Sequence, residues 1–566
     1  MASGATCTSV GSGVQPSNSA GTWSCGHVPT SSDDIRIVSQ VQLTGDLLGN
    51  NITIGYGPPN TAQLLTDGVS AHLVRSVAPI IVGSRQITHG LPAAATIDTC
   101  TGSAAGKEVT FQVTGALPGN FVLTHDANLY ADISANLCHS IFRLSPGVGA
   151  VYELGTPLYG DVSSWSISTT ELVGGGAPSG AFYMYAVPML KISNVSWTGG
   201  SGAFVRFVNT PPGSCFITNA TIINNSAVSQ YMIEDYSGGY NPCVIQGMAL
   251  ETDPAGLHNQ GLSGIASNIS DSLEYNYYNL NGVTGNMAGI GASGNVANSL
   301  VRSTVTHNAI YGGNLNAFDF VDSSNNILFV NARSAPSQGG IFIDNHGCPF
   351  TSTGDIVAYD ASYGADPGSV GVLSLSGINP ACVTLRHLTV QMGSNSSGGY
   401  GVGMGEYSLS SPSELSDSII VGAYNNIASL SAGNAFIASG TGGAGVFNND
   451  NYDSVNPYVA NGTHFDNGVT PHPSPVYGDT NFNPNFMSTT RGFGTCDSRL
   501  GGVGTVAHMF ETVMYGRWTG AAPRYTASQV VECLRCAWLP ANPAFKTASS
   551  TGGYIGAVSP TECACQ

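Results

Sequence analysis

Between residues 204 and 440 an apolar side chain returns at one constant interval. Ile217, Ile245, Leu273, Val301, Phe329, Val357 and Leu385 stand 28 residues apart. Each is the second residue of a short apolar run after a turn, as in Phe216-Ile217-Thr218-Asn219 and Leu300-Val301-Arg302-Ser303. A fixed period of this length means stacked supersecondary units. A second alternating segment accompanies the first, in Asn316-Ala317-Phe318-Asp319-Phe320-Val321, Gly340-Ile341-Phe342-Ile343-Asp344, Val370-Gly371-Val372-Leu373-Ser374 and Gly401-Val402-Gly403-Met404-Gly405. Units of short strands and Gly/Asn/Ser turns, with no helix between them, cannot bury an apolar face alone. They must stack, each pairing in parallel with its neighbours. The expected fold class is all-β, a parallel β-helix (solenoid) of about 28 residues per coil.

The composition agrees. Charged residues are 9% of the chain and hydrophobic ones 42%, with 74 glycines, so the polar surface is built from Ser, Thr, Asn and Gly, which suit strands and turns better than helices. The net charge of −18 and the lack of any Lys/Arg run exclude a nucleic-acid footprint. No apolar run reaches the ~18 residues that suggest a membrane span. Thirteen cysteines, mostly in loop-like contexts, point to disulfides and an oxidising, extracellular location, with an odd thiol left over. The start Met1-Ala2-Ser3-Gly4 is too polar for a signal peptide, so a secreted protein implies a leader already removed.

Four regions follow. Residues 1–45 form an N-terminal cap segment, 46–203 irregular coils with insertions, 204–445 the regular β-helix, and 446–566 a capping region with two short helices. The helices are expected over 506–517 and from the capping box Thr526-Ala527-Ser528-Gln529 through Leu534, covering the last coil against edge aggregation. Several motifs fail. Gly102-Ser-Ala-Ala-Gly106-Lys107-Glu108 has the wrong spacing for a phosphate loop and reads as a turn, and neither a zinc helix nor a nucleophile elbow occurs. Cys533, Cys536, Cys563 and Cys565 allow a thiolate zinc site, but disulfides are the stronger reading.

A 28-residue coil makes positions 28 apart lateral neighbours at about 4.8 Å. The outward column then runs Thr218, Gln246, Glu274, Arg302, Val330, Ala358 and Arg386, placing Glu274 against Arg302; Glu251, Asn279 and His307 form a second polar column. With Phe320 and Ile343 inward, Asp319, Asp344 and Asp322 project from neighbouring coils, and His346 follows Asp344 by two. Carboxylates this close raise one another's pKa and can serve as acid and as base or nucleophile, or share a calcium ion at Asp319 and Asp344. The competing readings are turn-capping aspartates and a surface ion pair.

The 28-residue coils resemble the pectate-lyase-like right-handed parallel β-helix superfamily, and Gly21-Thr-Trp23-Ser-Cys25-Gly-His27-Val-Pro29 with Asp33-Asp34-Ile35-Arg36-Ile37 is similar to the opening of secreted β-helix proteins. The resemblance implies right-handed winding and a partner among extracellular polysaccharides. Of the motifs of its polygalacturonase-type members, Asp344-Asn345-His346-Gly347 is a loose echo and the others are absent. Its lyases use a basic residue beside a uronate; lysine occurs only at 107, 191 and 546, leaving Arg302, Arg333 and Arg386. An acidic chain without lysine in its repeats repels a polyuronate, so hydrolysis of a neutral or weakly charged glycan is favoured over β-elimination. The expected roles are catalysis by two of Asp319, Asp322 and Asp344 with His346 tuning one, and substrate binding by Glu274, Arg302, His307 and Arg333. No cofactor is required beyond an optional calcium. The alternatives are a non-catalytic adhesion or tailspike-like protein and a glycan-binding module.

Overall fold

The structure, a computed structural model, describes most of residues 4–114, the strands and many corners between 121 and 477, and most of 527–563. The chain divides into two compact units, Met1–Cys243 and Val244–Gln566. Both are built from parallel strands stacked laterally; among the described strand pairs one is antiparallel, Asn456–Ala460 with Thr463–Phe465. No described helix is long and apolar enough to cross a membrane.

In the first unit Leu137, Ile167, Ile192 and Ile217 form one register column. The coils between them differ in length, Cys138 meeting Ser168 at a sequence separation of 30 and Asn194 meeting Asn219 at one of 25. All four column residues are buried, because successive strand residues alternate between faces and these share the inner one. Disulfides Cys7–Cys25 and Cys100–Cys138 lie in this unit, and Cys215 is disulfide-bonded as well. The 104–107 segment closes as a turn, with the Lys107 amide donating to the Ala104 carbonyl.

In the second unit the inward column runs Ile245, Leu273, Val305, Ser323, Ser352, Leu385 and Leu415. The constant interval is corrected here. Hydrogen bonds joining consecutive coils, Met248 to Asn276, Asn276 to Asn308, Asn308 to Asn326 and Asn326 to Asp355, bridge sequence separations of 28, 32, 18 and 29. Val305, not Val301, lies beside Leu273. Phe329 and Val357 belong to the next strand of their coils, Ile327–Val330 and Ile356–Tyr359. One short coil offsets its long neighbours, and this carries Leu385 back onto the ladder where the constant interval expects it. Loop length varies because only the strands must match, and insertions between them are tolerated.

Each coil of this unit contributes two strands to one sheet across a sharp corner, and those of its middle part add a third strand to a second sheet, as in Ile290–Ala292, Leu315–Ala317 and Ile341–Asn345. The strand after the corner is buried on both faces: Ala309 and Ile310, Ile327 and Leu328, Ile356 and Val357, and Ile419 and Ile420 are all buried. Such double burial needs an outer cover. The cover is the helix Ala527–Arg535 with the 3-10 turn Cys536–Trp538 and residues 553–563, tied by Cys536–Cys563. The helix packs on the strands Tyr277–Asn279 and Ile327–Val330, and Trp538 Nε1 donates to Gln391 Oε1 at 2.7 Å. It therefore lies along the side of successive coils, not over the end of the last one as expected from edge protection. Residues 506–517 lie outside the described residues.

Candidate functional site: the corner and polar face of the second unit

At each corner of the second unit among the described residues one residue adopts a left-handed backbone: Gly247, Tyr275, His307, Asn325, Gly354, His387 and Asp417. Immediately before it lies the polar face. Strands such as Val321–Ser324, Phe350–Thr353 and Val383–Arg386 alternate buried and accessible residues. Two outward columns result. One runs Ser272, Thr304, Asp322, Thr351 and Thr384; the other runs Gln246, Glu274, Thr306, Ser324, Thr353, Arg386 and Ser416. Neighbouring residues in a column are separated by one strand spacing, about 4.8 Å.

Immediately after the corner the chain turns inward, and four consecutive coils place Asn276, Asn308, Asn326 and Asp355 in the interior, each at most 1% exposed. The amides interlock the stack. Asn308 Nδ2 donates to the Leu273 carbonyl at 3.0 Å, and its Oδ1 accepts the Asn276 amide at 3.0 Å; Asn326 repeats the arrangement toward Val305 and Asn308. Asp355 ends the run. Its Oδ1 accepts the Asn326 amide at 2.8 Å, and its Oδ2 accepts Ser323 and Ser352 hydroxyls at 2.6 Å. Burial pushes its carboxyl above the usual range, against the four hydrogen bonds that favour the charged form. Ser323 and Ser352 occupy inward positions that hold Val305 and Leu385 on other coils, because an acid there needs donors.

Outside the corner the cover supplies its own chemistry. Arg535, fully buried, donates to the carbonyls of Gly354 and Ala557 at 2.9 Å, to Asn325 Oδ1 at 3.2 Å, and pairs with Glu562. Tyr275 stacks on His307 and Tyr554 on His387, both with ring centroids 4.8 Å apart. Burial holds both imidazoles below their ordinary value and both phenols above theirs.

The expected site residues distribute as follows. Glu274 lies level with Thr306, not Arg302, and Gln246 Nε2 donates to its Oε2 at 3.2 Å. Val330 pairs with Tyr359, not Ala358, and Tyr311, not His307, continues the column Glu251–Asn279. His307 sits at the corner, its Nδ1 2.9 Å from Thr306 Oγ1. Asp322 stands in the polar face between Thr304 and Thr351, whereas Asp344 belongs to a strand of the other sheet, in register with Leu375. Ala317, not Phe320, is Ile343's partner, so the alignment that grouped the aspartates is corrected. Asp319, His346, Arg302 and Arg333 lie outside the described residues. Glu274 and Asp322 are not lateral neighbours; Thr304 and Thr306 occupy the coil between them.

Among the described residues, the one close group of potential metal ligands is Cys7, Cys25 and His27, and its two thiols are joined in a disulfide. Nearby, Asp33 is held well below the carboxylate range, first by the Thr30 amide, and His27 Nε2 lies 3.1 Å from it. This is an N-terminal staple and holds no open coordination site.

The interior ladder and Arg535 were not singled out from sequence. A signal existed in His307-Asn308, Asn325-Asn326 and Gly354-Asp355, an Asn or Asp after a residue that tolerates left-handed backbone, each closing a short strand; Tyr275 before Asn276 carries no such signal. The fold places the chain among all-β proteins of stacked parallel sheets. No family model, curated protein or solved structure matches it.

Proposed function

We propose that this protein is a secreted, right-handed parallel β-helix of the carbohydrate-active kind that engages an extended extracellular polysaccharide along the polar face of its second unit. The observation that carries this reading is the pair of outward columns, in which Thr304, Thr306, Ser324, Thr351, Thr353 and Thr384 repeat a hydroxyl from coil to coil, with one carboxylate, Asp322, and one guanidinium, Arg386, among them. A periodic row of donors and acceptors suits a polymer with periodic hydroxyls. The disulfides and the resemblance of the coils to pectate-lyase-like proteins support the extracellular setting. The resemblance of the coils supports the right-handed winding, and the Trp23-containing opening supports the N-terminal cap.

Cleavage is a second reading, favoured by Asp322, whose carboxylate stands in that face. In it Asp322 works with Asp319, and hydrolysis is preferred to β-elimination. One experiment separates the readings. The protein is incubated with a panel of neutral and acidic polysaccharides, reading retention, new reducing ends and the absorbance of unsaturated products. Retention without products establishes binding, reducing ends establish hydrolysis, and no retention on any polymer sinks the proposal. Asp322→Asn and Thr351→Val should each weaken retention severalfold.

A further inference from the structure

We infer that the C-terminal cover is an acid-sensitive latch, docked on the corner column while His307 and His387 are neutral and lifted from it when they take up protons. The two histidines sit at equivalent corners, φ 51° and 50°: His387 lies against Tyr554 of the cover, and the His307 amide bonds the Ser324 carbonyl of the next coil, beside Asn325, to which Arg535 of the cover donates. His387 stacks on Tyr554 of the cover, and its Nδ1 is buried with no hydrogen-bond partner. A proton placed there has no acceptor inside the closed structure, and an unmatched buried charge is strongly disfavoured.

His307 meets a different obstacle. Its ring feels the positive charge of Arg535, and that guanidinium cannot swing away, because Gly354, Ala557, Asn325 and Glu562 hold it on all sides. The groups facing His307 are Tyr275 from its own column and Arg535 and Glu562 from the cover; Glu562 attracts the imidazolium but is already engaged by Arg535. Around His387 they are Asp417 and Arg386 from the neighbouring coil and its own strand, which oppose each other, and Tyr554 from the cover. Burial is the largest influence on both rings and favours the neutral form.

Lifting the cover rehydrates both rings and returns them to the ordinary value of about 6.5. A base whose closed-state value is depressed stabilises the closed state fully above its open-state value and loses that contribution as the pH falls below it. Each histidine then raises the opening equilibrium by up to tenfold per pH unit below about 6.5.

The test is hydrogen exchange on the full chain at about pH 7.5 and about pH 5.5, above the ordinary carboxylate range. After correction for intrinsic exchange, peptides from the helix Ala527–Arg535 should open at least tenfold more at the lower pH, while the strand Ser303–Thr306 stays unchanged. The variant His307→Asn/His387→Asn tolerates the left-handed corners but cannot titrate, and its cover should open equally at both pH values. Equal opening of the wild-type cover at both pH values overturns the proposal, as does an undiminished rise in the double variant. Should that variant not fold, NMR titration of the wild-type imidazoles decides: both titrating below about 6.5 supports the latch, and either titrating at or above it overturns it.

Discussion

After the left-handed corners His139, Thr169, Asn194 and Asn219 of the first unit stand Ser140, Thr170, Val195 and Ala220; in the second unit Met248, Leu388 and Ser418 follow three of the corners, but four consecutive corners are followed by Asn276, Asn308, Asn326 and Asp355, and all of these residues are buried. The hydroxyls of the first set bond first within their own strand, Ser140 to the Cys138 carbonyl and Thr170 to the Ser168 carbonyl, and Ser140 also reaches across to the Thr99 hydroxyl of the neighbouring coil at 3.1 Å. The amides of the second set bond across coils. Outside the same corners the contrast repeats: Thr169, Asn194 and Asn219 are exposed, while Asn325, Gly354 and His387 carry the C-terminal cover. The same backbone corner therefore serves two ends. Short hydroxyls let each coil close on itself, and carboxamides, with a donor and an acceptor at one carbon, couple each coil to the next. The polar face and the cover are both found on the coupled coils.

The sharpest way to break this contrast is Asn308→Leu. It strips the Leu273 carbonyl and the Asn276 amide of their partner in a dry interior, and should destabilise the second unit by about 3–5 kcal/mol in urea unfolding. Val195→Ala, at the matching corner of the first unit, should cost about 1–2 kcal/mol. Equal losses at the two sites would remove the distinction between self-closed and coupled coils.

Arg535→Leu comes next, at about 2–3 kcal/mol, and the loss should be confined to the cover. Limited proteolysis is expected to release the C-terminal segment while circular dichroism of the strands persists. A variant that unfolds as a whole would show that the cover is part of one cooperative core.

Asp355→Asn probes where coupling runs out. A carboxyl raised by burial contributes fully below its unfolded value of about 3.9, and its contribution is lost as the pH rises toward the folded value. The carboxamide introduced by the substitution would donate to the Ser323 or Ser352 hydroxyl oxygen instead. The variant should therefore match wild type near pH 4 and melt higher near pH 8, while identical melting at both values would mean the carboxylate is fully stabilised by its four donors. The smallest expected effect belongs to the first unit's exposed corner. Asn219→Ala, at φ 54°, should cost about 1 kcal/mol and Asn219→Gly almost nothing.

Much of this molecule was legible in the chain. Alternation in Val383-Thr384-Leu385-Arg386 and Val321-Asp322-Ser323-Ser324 states which residues face inward, since a strand has a period of two whatever its neighbours do. The recurrence of apolar positions revealed stacking, but only as an average interval. The short coil between Asn308 and Asn326, a separation of 18, and the long one before it, a separation of 32, hide inside that average. Glu274 was therefore matched to Arg302 instead of Thr306. A register error of this kind moves every pairing until the coil lengths compensate at Leu385, and the expected site lay within that stretch, so the site suffered more than the fold.

The sequence by itself determined the class of structure: parallel stacked strands follow from apolar alternation, turn-rich composition and the need of each unit to bury a face against another. It also contained the double burial of Ile356-Val357 and Ile419-Ile420, which demands an outer cover without saying what supplies it. Only the tertiary structure decided that residues 527–563 supply it, that Arg535 closes over the distant Gly354, and that Ser323, Ser352 and Asp355 meet in one buried cluster. The physical reason is that pairing register depends on the length of every intervening loop, which alternation within a strand does not encode, whereas burial of a strand face depends on the strand alone.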